Sequence, residues 1–223
     1  MATDPAFQIV QPATLRWSLV VPVKVLAQAK SRLTGLGDLR RSDLALAMAA
    51  DTVAAAVAAR PVAAVLVVTD DQDVAEMAAG VGAVVLADEP GAGLNDALTH
   101  GARYAEQKWP QHGRAGLAGD LPAVSAADLA AALDAAAGLG QAFVPDAAGV
   151  GTTLYAATPG VAFRPHFGLR SRAAHRRAGA GELDARASLR QDVDTVEDLR
   201  RAAAIGLGPR TLALFAGSDL ARA

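Results

Sequence analysis

The acidic pair in Asp192-Val193-Asp194 stands immediately ahead of a helix-start signal, and Gly119-Asp120-Leu121-Pro122 precedes it in the chain. Carboxylate oxygens are hard donors, and Mg2+ is commonly held by one or two of them together with substrate phosphates and water. In a chain of alternating strands and helices, phosphorylated ligands collect beyond the carboxyl ends of the strands. Read as strand ends of one sheet, Asp120, Asp192 and Asp194 therefore predict a Mg2+ site facing a phosphorylated substrate. Each residue alone also has an ordinary explanation. Asp before Leu-Pro suits a turn, and an Asp ahead of a helix complements its dipole. Asp198 fits the ordinary explanation best, because Thr195 and Asp198 have capping-box spacing.

A second group follows the first apolar segment. Lys24, Lys30 and Arg32 place cations in what reads as the first strand-to-helix loop, where phosphates sit in open α/β sheets. The glycines of a Walker A or dinucleotide fingerprint are missing, so a solvated charged loop is the competing account. The third group is Asp146 to Leu154, rich in glycine, followed by Pro165 to Arg172. Ser171 as an N-cap with Arg172 nearby would seat a phosphate, against a plain hairpin turn and simple cap. His175, Arg176 and Arg177 read as a solvated face, and His100 and His112 have no partner pattern.

These groups need elements to position them. Strands are expected at 17–23, 62–69, 83–87, 143–145 and 152–157, with 62–69 continuously apolar like a central parallel strand. Helices are expected at 39–59, 71–79, 94–107, 125–137, 171–178 and 195–205, and a last one runs to about Phe215. Ser125 and Asp128 have capping-box spacing. A further strand at 114–118, before Asp120, is required by the alternation although it contains no β-branched residue. Asp192 to Asp194 is read as the end of one more strand. The pattern gives an α/β class, three-layer α/β/α with a mostly parallel central sheet. The division expected is a flexible extension at 1–14, a single domain at 15–217 and a tail at 218–223.

Composition narrows the chemistry. The 223 residues carry a formal charge of −2, which offers no overall field for nucleic acid or anionic lipid. Zero cysteines exclude disulfides, thiolate zinc sites and thiol nucleophiles. No signal-peptide pattern or membrane-length apolar run is seen, so a cytoplasmic setting is expected.

The segments PVKVLAQAKSRL (22–33), LNDAL (94–98), GDLPAVSAADL (119–129), GVGTTL (149–154), RPHFGLRSRAAHRRAGA (164–180) and DVDTVEDL (192–199) occur in this order. Together they resemble the phosphoenolpyruvate / 2-phospho-L-lactate guanylyltransferase family of coenzyme F-420 biosynthesis. That resemblance implies a GT-A-like nucleotidyltransferase fold and transfer of GMP from GTP to a small phospho-acid, with release of pyrophosphate. It implies that Asp120, Asp192 and Asp194 hold Mg2+ and, with Lys24, form the catalytic set. Lys24, Thr152, Gly168 and Ser171 would contact the acceptor's phosphate or carboxylate. Lys30 and Arg32 would lie near the GTP phosphates, and Asn95 near the guanine or ribose. Two departures from the family pattern stand out: the Gly/Ala-rich strand before Asp120, and Val150 where a hydroxyl residue is common. The resemblance favours phosphoenolpyruvate as the acceptor, with 2-phospho-L-lactate and 3-phosphoglycerate as the alternatives, and a homodimer is open. Other readings are a molybdenum-cofactor guanylyltransferase-type enzyme or a non-catalytic nucleotide-binding protein. The second would have no need of three intact acids.

Overall fold

A computed structural model describes residues 15–26, 33, 36, 39–88, 91 and 93–221. The 1–14 extension and the loop cations Lys30 and Arg32 lie outside the described residues. The elements are β1 (Trp17–Pro22), α1 (Arg41–Ala58), β2 (Val62–Val68), α2 (Gln72–Gly80), β3 (Val84–Leu86), α3 (Leu94–Lys108), β4 (Gly113–Leu117) and α4 (Ala126–Ala136). They continue as β5 (Gln141–Pro145), β6 (Thr152–Ala157), α5 (Ser171–Arg177), β7 (Gly181–Glu182), α6 (Ala187–Arg190), α7 (Val196–Ile205) and α8 (Pro209–Ala216). The strands form one sheet in the order β3-β2-β1-β4-β6-β5-β7. β6 pairs antiparallel with both β4 and β5, while the other pairings are parallel, so β6 alone is reversed.

Alternation along the strands sends side chains to two faces. Leu19 and Val21 of β1, with Val65 and Val67 of β2, join one apolar cluster that also holds Val53 of α1, Val74 of α2 and Leu129 of α4. Val20, Leu66 and Val68 point the other way and pack with Ala97, Leu98 and Ala102 of α3. Helices therefore cover both faces, which is the three-layer arrangement. A third cluster lies outside the sheet, where Leu44 and Met48 of α1 meet Val193, Leu199 and Ala202.

The weak strand before Asp120 has a steric explanation. All five residues of β4 are buried. A Cβ on Gly113 would run into the indole of Trp17, and one on Gly116 into Leu98. Large neighbours fill the space that β-branched residues would otherwise take, so this strand is built from small residues. Arg114, which is also buried, pairs with Glu106 and donates to the carbonyls of Thr158 and Val161 at 3.3 and 2.8 Å.

Three local expectations are corrected. The residues ahead of Asp192 form the short helix α6, and Gln191 to Thr195 have no strand pairing. Ser125 accepts the amide of Asp128, but the Asp128 carboxylate receives the Ser188 hydroxyl at 2.6 Å instead of completing a capping box. The segment set apart as a tail holds a 3-10 turn at Asp219–Ala221, with Ser218 and Leu220 buried. The box at Thr195 and Asp198 is complete.

Asp51 of α1 anchors the last helix. Its buried carboxylate accepts the backbone amides of Arg210 and Thr211 at 3.1 and 2.8 Å, two otherwise unpaired donors of the first turn of α8. Asp51→Ala should lower unfolding free energy by about 2 kcal/mol, read as a lower denaturant midpoint at constant slope.

Candidate functional site

Three cavities line the edge of the sheet where the parallel strands end. One, of about 340 Å³, lies beyond β1 and β2 and is walled by Pro22, Lys24, Val68, Asp70, Asp88 and Gly93. A second, of about 380 Å³, contains Asp120, Asp192 and Asp194 together with Thr152, Gly168 and Ser171. A third, also about 380 Å³, lies between them and shares Lys24 with the first and Asp120 and Asp194 with the second. Leu94 borders all three. The cavities thus form one cleft at the position where open α/β sheets take ligands.

Backbone geometry brings the acids together. Val193 donates its amide to the carbonyl of Asp120 at 3.1 Å, and its side chain is wholly buried in the third cluster. With Val193 fixed inward, Asp192 and Asp194 reach the cleft on either side of it. The amides of Asp194 and Thr195 both donate to the Asp198 carboxylate, at 3.4 and 2.9 Å. Asp198 is thereby committed to the start of α7, as its spacing predicted.

The acids are crowded. Burial pushes the Asp192 carboxyl up to about 7, and the negative charges of Asp120, Asp146 and Asp194 add to that rise. A cation in this cavity would offset the same repulsion, so the donor set suits a hard metal. Among the described residues, no three His, Asp or Glu side chains are gathered closely enough to hold a metal by themselves. A hard cation bound here would need phosphates or water to complete its coordination.

Opposite the acids lie polar groups of the hairpin β5–β6 and of α5. Thr152 begins β6, and because that strand is reversed its first residue arrives at the same edge as the ends of its neighbours. Ser171 is 1% exposed and its hydroxyl has no hydrogen-bond partner, although the residue lines the acidic cavity. A buried hydroxyl left in this state is costly unless a ligand satisfies it. Gly168 has φ +117 and open space around it, so the backbone conformation, not crowding, calls for glycine there.

Several expectations change in detail. Ser171 is the first residue of α5, and the N-cap is Arg170 in the left-handed region at φ 59. Arg172 is not free for a phosphate: it makes a two-point pair with Glu182 at 3.0 and 2.7 Å and donates to the Gly149 carbonyl. Asn95, expected beside the guanine or ribose, spends both ends of its amide on the Phe167 backbone. It donates to the carbonyl at 2.9 Å and accepts the amide at 2.8 Å. Val150 is 52% exposed at the rim of the acidic cavity. Asp146, which opens the third group of the sequence but has no role of its own assigned there, is a cavity residue. Its carboxylate accepts the amides of Val150 and Gly151, each at 2.8 Å, and holds the hairpin turn. The Asp-x-x-x-x-Gly run was the available signal.

The Asn95 clasp has a measurable consequence. Asn95→Ala should cost about 1–2 kcal/mol locally. Hydrogen exchange of the Phe167 amide should accelerate while amides in the middle of α3 keep their protection.

A family model described as "Guanylyl transferase CofC like" matches residues 17–201. Phosphoenolpyruvate guanylyltransferase of Thermomonospora curvata is 54% identical over 206 residues, covering 92% of this chain and 90% of that protein. The protein of the same name from Streptomyces coelicolor is 55% identical over 205 residues, covering 91% and 97%. Among solved structures, a chain described as a nucleotide-diphospho-sugar transferase from Desulfovibrio desulfuricans G20 superposes with a TM-score of 0.69 at 20% identity, covering 93% of this chain and 97% of that one. A nucleotidyl transferase from Methanothermobacter thermautotroptrophicus gives 0.59 at 21% identity, covering 85% and 97%. At such identities these two structures speak for the fold alone. The family model spans most of the chain and the relatives are more than half identical over nearly all of it; the chain belongs to the CofC-like guanylyl transferase family.

Proposed function

We propose that this chain transfers GMP from GTP to the phosphate of phosphoenolpyruvate, releasing pyrophosphate, as a cytoplasmic step in making coenzyme F-420. The observation that carries the reading is the acidic cavity, where an unpartnered buried hydroxyl at Ser171 faces three crowded carboxylates beside a second, nucleotide-sized space. Relatives named for this acceptor, at 54% and 55% identity, support phosphoenolpyruvate over 2-phospho-L-lactate.

The chemistry asks for alignment more than for a base. An oxygen of the acceptor's phosphate, already anionic, forms a bond to the α-phosphorus of GTP. The bond from that phosphorus to the bridging oxygen breaks, and pyrophosphate leaves with the electron pair. Ser171, Thr152 and the backbone around Gly168 hold the acceptor. Lys24, which borders both the nucleotide-side and the central cavities, neutralises charge between the two reactants. Asp120, Asp192 and Asp194 would hold Mg2+, which supplies charge neutralisation and orientation of the phosphates when bound. Lys30 and Arg32 belong to the same proposal as phosphate contacts of GTP. Asn95 acts through the Phe167 loop and not on the base. No described helix is long and apolar enough to cross a membrane.

A matrix of small phospho-acids against nucleotides, read by pyrophosphate release with Mg2+, tests the reading. Release should be greatest with GTP and phosphoenolpyruvate, and chelation should stop it. Absence of release with every pair would sink the proposal. Asp192→Asn and Asp194→Ala should each cut turnover by at least about 100-fold while leaving the thermal melt nearly unchanged. Each substitution removes one of several crowded like charges and no core side chain. A large fall in melting temperature with turnover retained would instead make the pair structural.

A further inference from the structure

His175 does not lie on a solvated face. It is wholly buried on α5, in a slot made by residues remote in sequence. Its ring stacks against Phe143 and Tyr155, with centroids 5.4 and 4.7 Å away and planes inclined by only 24° and 17°. The edge of Phe167 closes a third side at 5.7 Å. Such a slot fixes the ring plane and leaves only the placement of its hydrogen to be decided.

The neighbours decide it. Nε2 lies 3.0 Å from the backbone nitrogen of His166, a group that can only donate. Nε2 must therefore accept and carry no hydrogen. In a neutral imidazole the hydrogen then sits on Nδ1, which is 3.1 Å from the Thr152 hydroxyl oxygen. Thr152 cannot donate to a protonated Nδ1, whose hydrogen it shares with the Ser171 carbonyl, so its own hydrogen turns away from the ring. Thr152 lines the acidic cavity with Gly168 and Ser171.

Resting on the function proposed above, we propose that His175 is a positioning residue: it orients the Thr152 hydroxyl as a donor into the acceptor pocket, so that the incoming phospho-acid meets a hydrogen and not a lone pair. Burial, with the charge of His166 adding to it, lowers the His175 pKa to about 4 against the opposing pull of the Ser171 carbonyl. The ring stays neutral at ordinary pH, and the direction of the hydrogen bond is fixed. An imidazolium would set an Nε2 hydrogen against the His166 amide.

The test is a double-substitution cycle on the full chain with GTP and phosphoenolpyruvate. His175→Phe keeps the ring in its slot but removes both nitrogens, and Thr152→Val removes the hydroxyl at nearly constant shape. Each should raise the KM for phosphoenolpyruvate by about 10-fold with the KM for GTP changed less than about twofold. The double variant should be no worse than Thr152→Val alone. His175→Asn, whose amide can stand in for the Nδ1 hydrogen, should recover part of the loss. Multiplying effects in the double variant, or equal rises in both KM values, would overturn the proposal. If His175→Phe fails to fold, nitrogen NMR of the wild-type ring decides. A protonated Nδ1 with an unprotonated Nε2 is expected, and the reverse overturns it. That measurement needs no turnover, so it still judges His175 if the wild-type chain proves inactive and the functional reading fails.

Discussion

The cleft depends on one backbone hydrogen bond, from the Val193 amide to the Asp120 carbonyl. Two segments that are remote in the chain meet there, and without the contact their carboxylates would belong to separate loops. The bond is secured from behind, because the Val193 side chain is clamped among Met48, Leu199 and Ala202. From the other side, the hydroxyl of Thr52 on α1 accepts the amide of Leu121 at 3.1 Å. Apolar packing thus does the positioning, while the charged side chains face outward into a space where they repel one another. This division resolves a conflict in folding: the energy that gathers the acids comes from residues that take no part in their chemistry.

The opposite wall is assembled by side-chain hydrogen bonds to the backbone. Asn95 clasps Phe167, Asp146 ties its own turn, and Arg190 donates to the carbonyls of Pro145 and Asp146 at 3.2 and 3.1 Å. The Thr153 hydroxyl reaches the Leu189 carbonyl at 2.7 Å. The hairpin is therefore stitched to α6 and, through it, to the acidic segment. Rigid acids and a rigid polar wall leave the ligand as the part that must adapt.

How much of this was legible in the chain varied with the range of the cause. β2 was plain because a central parallel strand is apolar throughout. The Thr195–Asp198 box was plain because both partners are local. β4 was obscure because its composition answers to Trp17 and Leu98, neighbours that no window of its own sequence contains. The strand expected at Asp192 was wrong since a few apolar residues there serve the one-turn helix α6. His175 was misread because Arg176 and Arg177 suggested solvent, whereas its surroundings come from β5, β6 and the 163–167 segment. The acidic triad and the Thr152, Gly168 and Ser171 positions were readable as a set of residue types. Their convergence on one cavity needed the sheet order. The interaction roles of Asn95 and Asp146 were invisible until the loops were placed.

The reversed strand β6 also divides the cleft by the elements that build each side. One side is built from the outgoing ends of β1 and β2. The polar wall of the other side hangs on one hairpin and one short helix, close together in sequence. On the function proposed above, a change in that hairpin would reshape the wall that meets the small acid and leave the ends of β1 and β2 in place. On the same proposed function, what is donated and what receives it would be held by separate parts of one sheet.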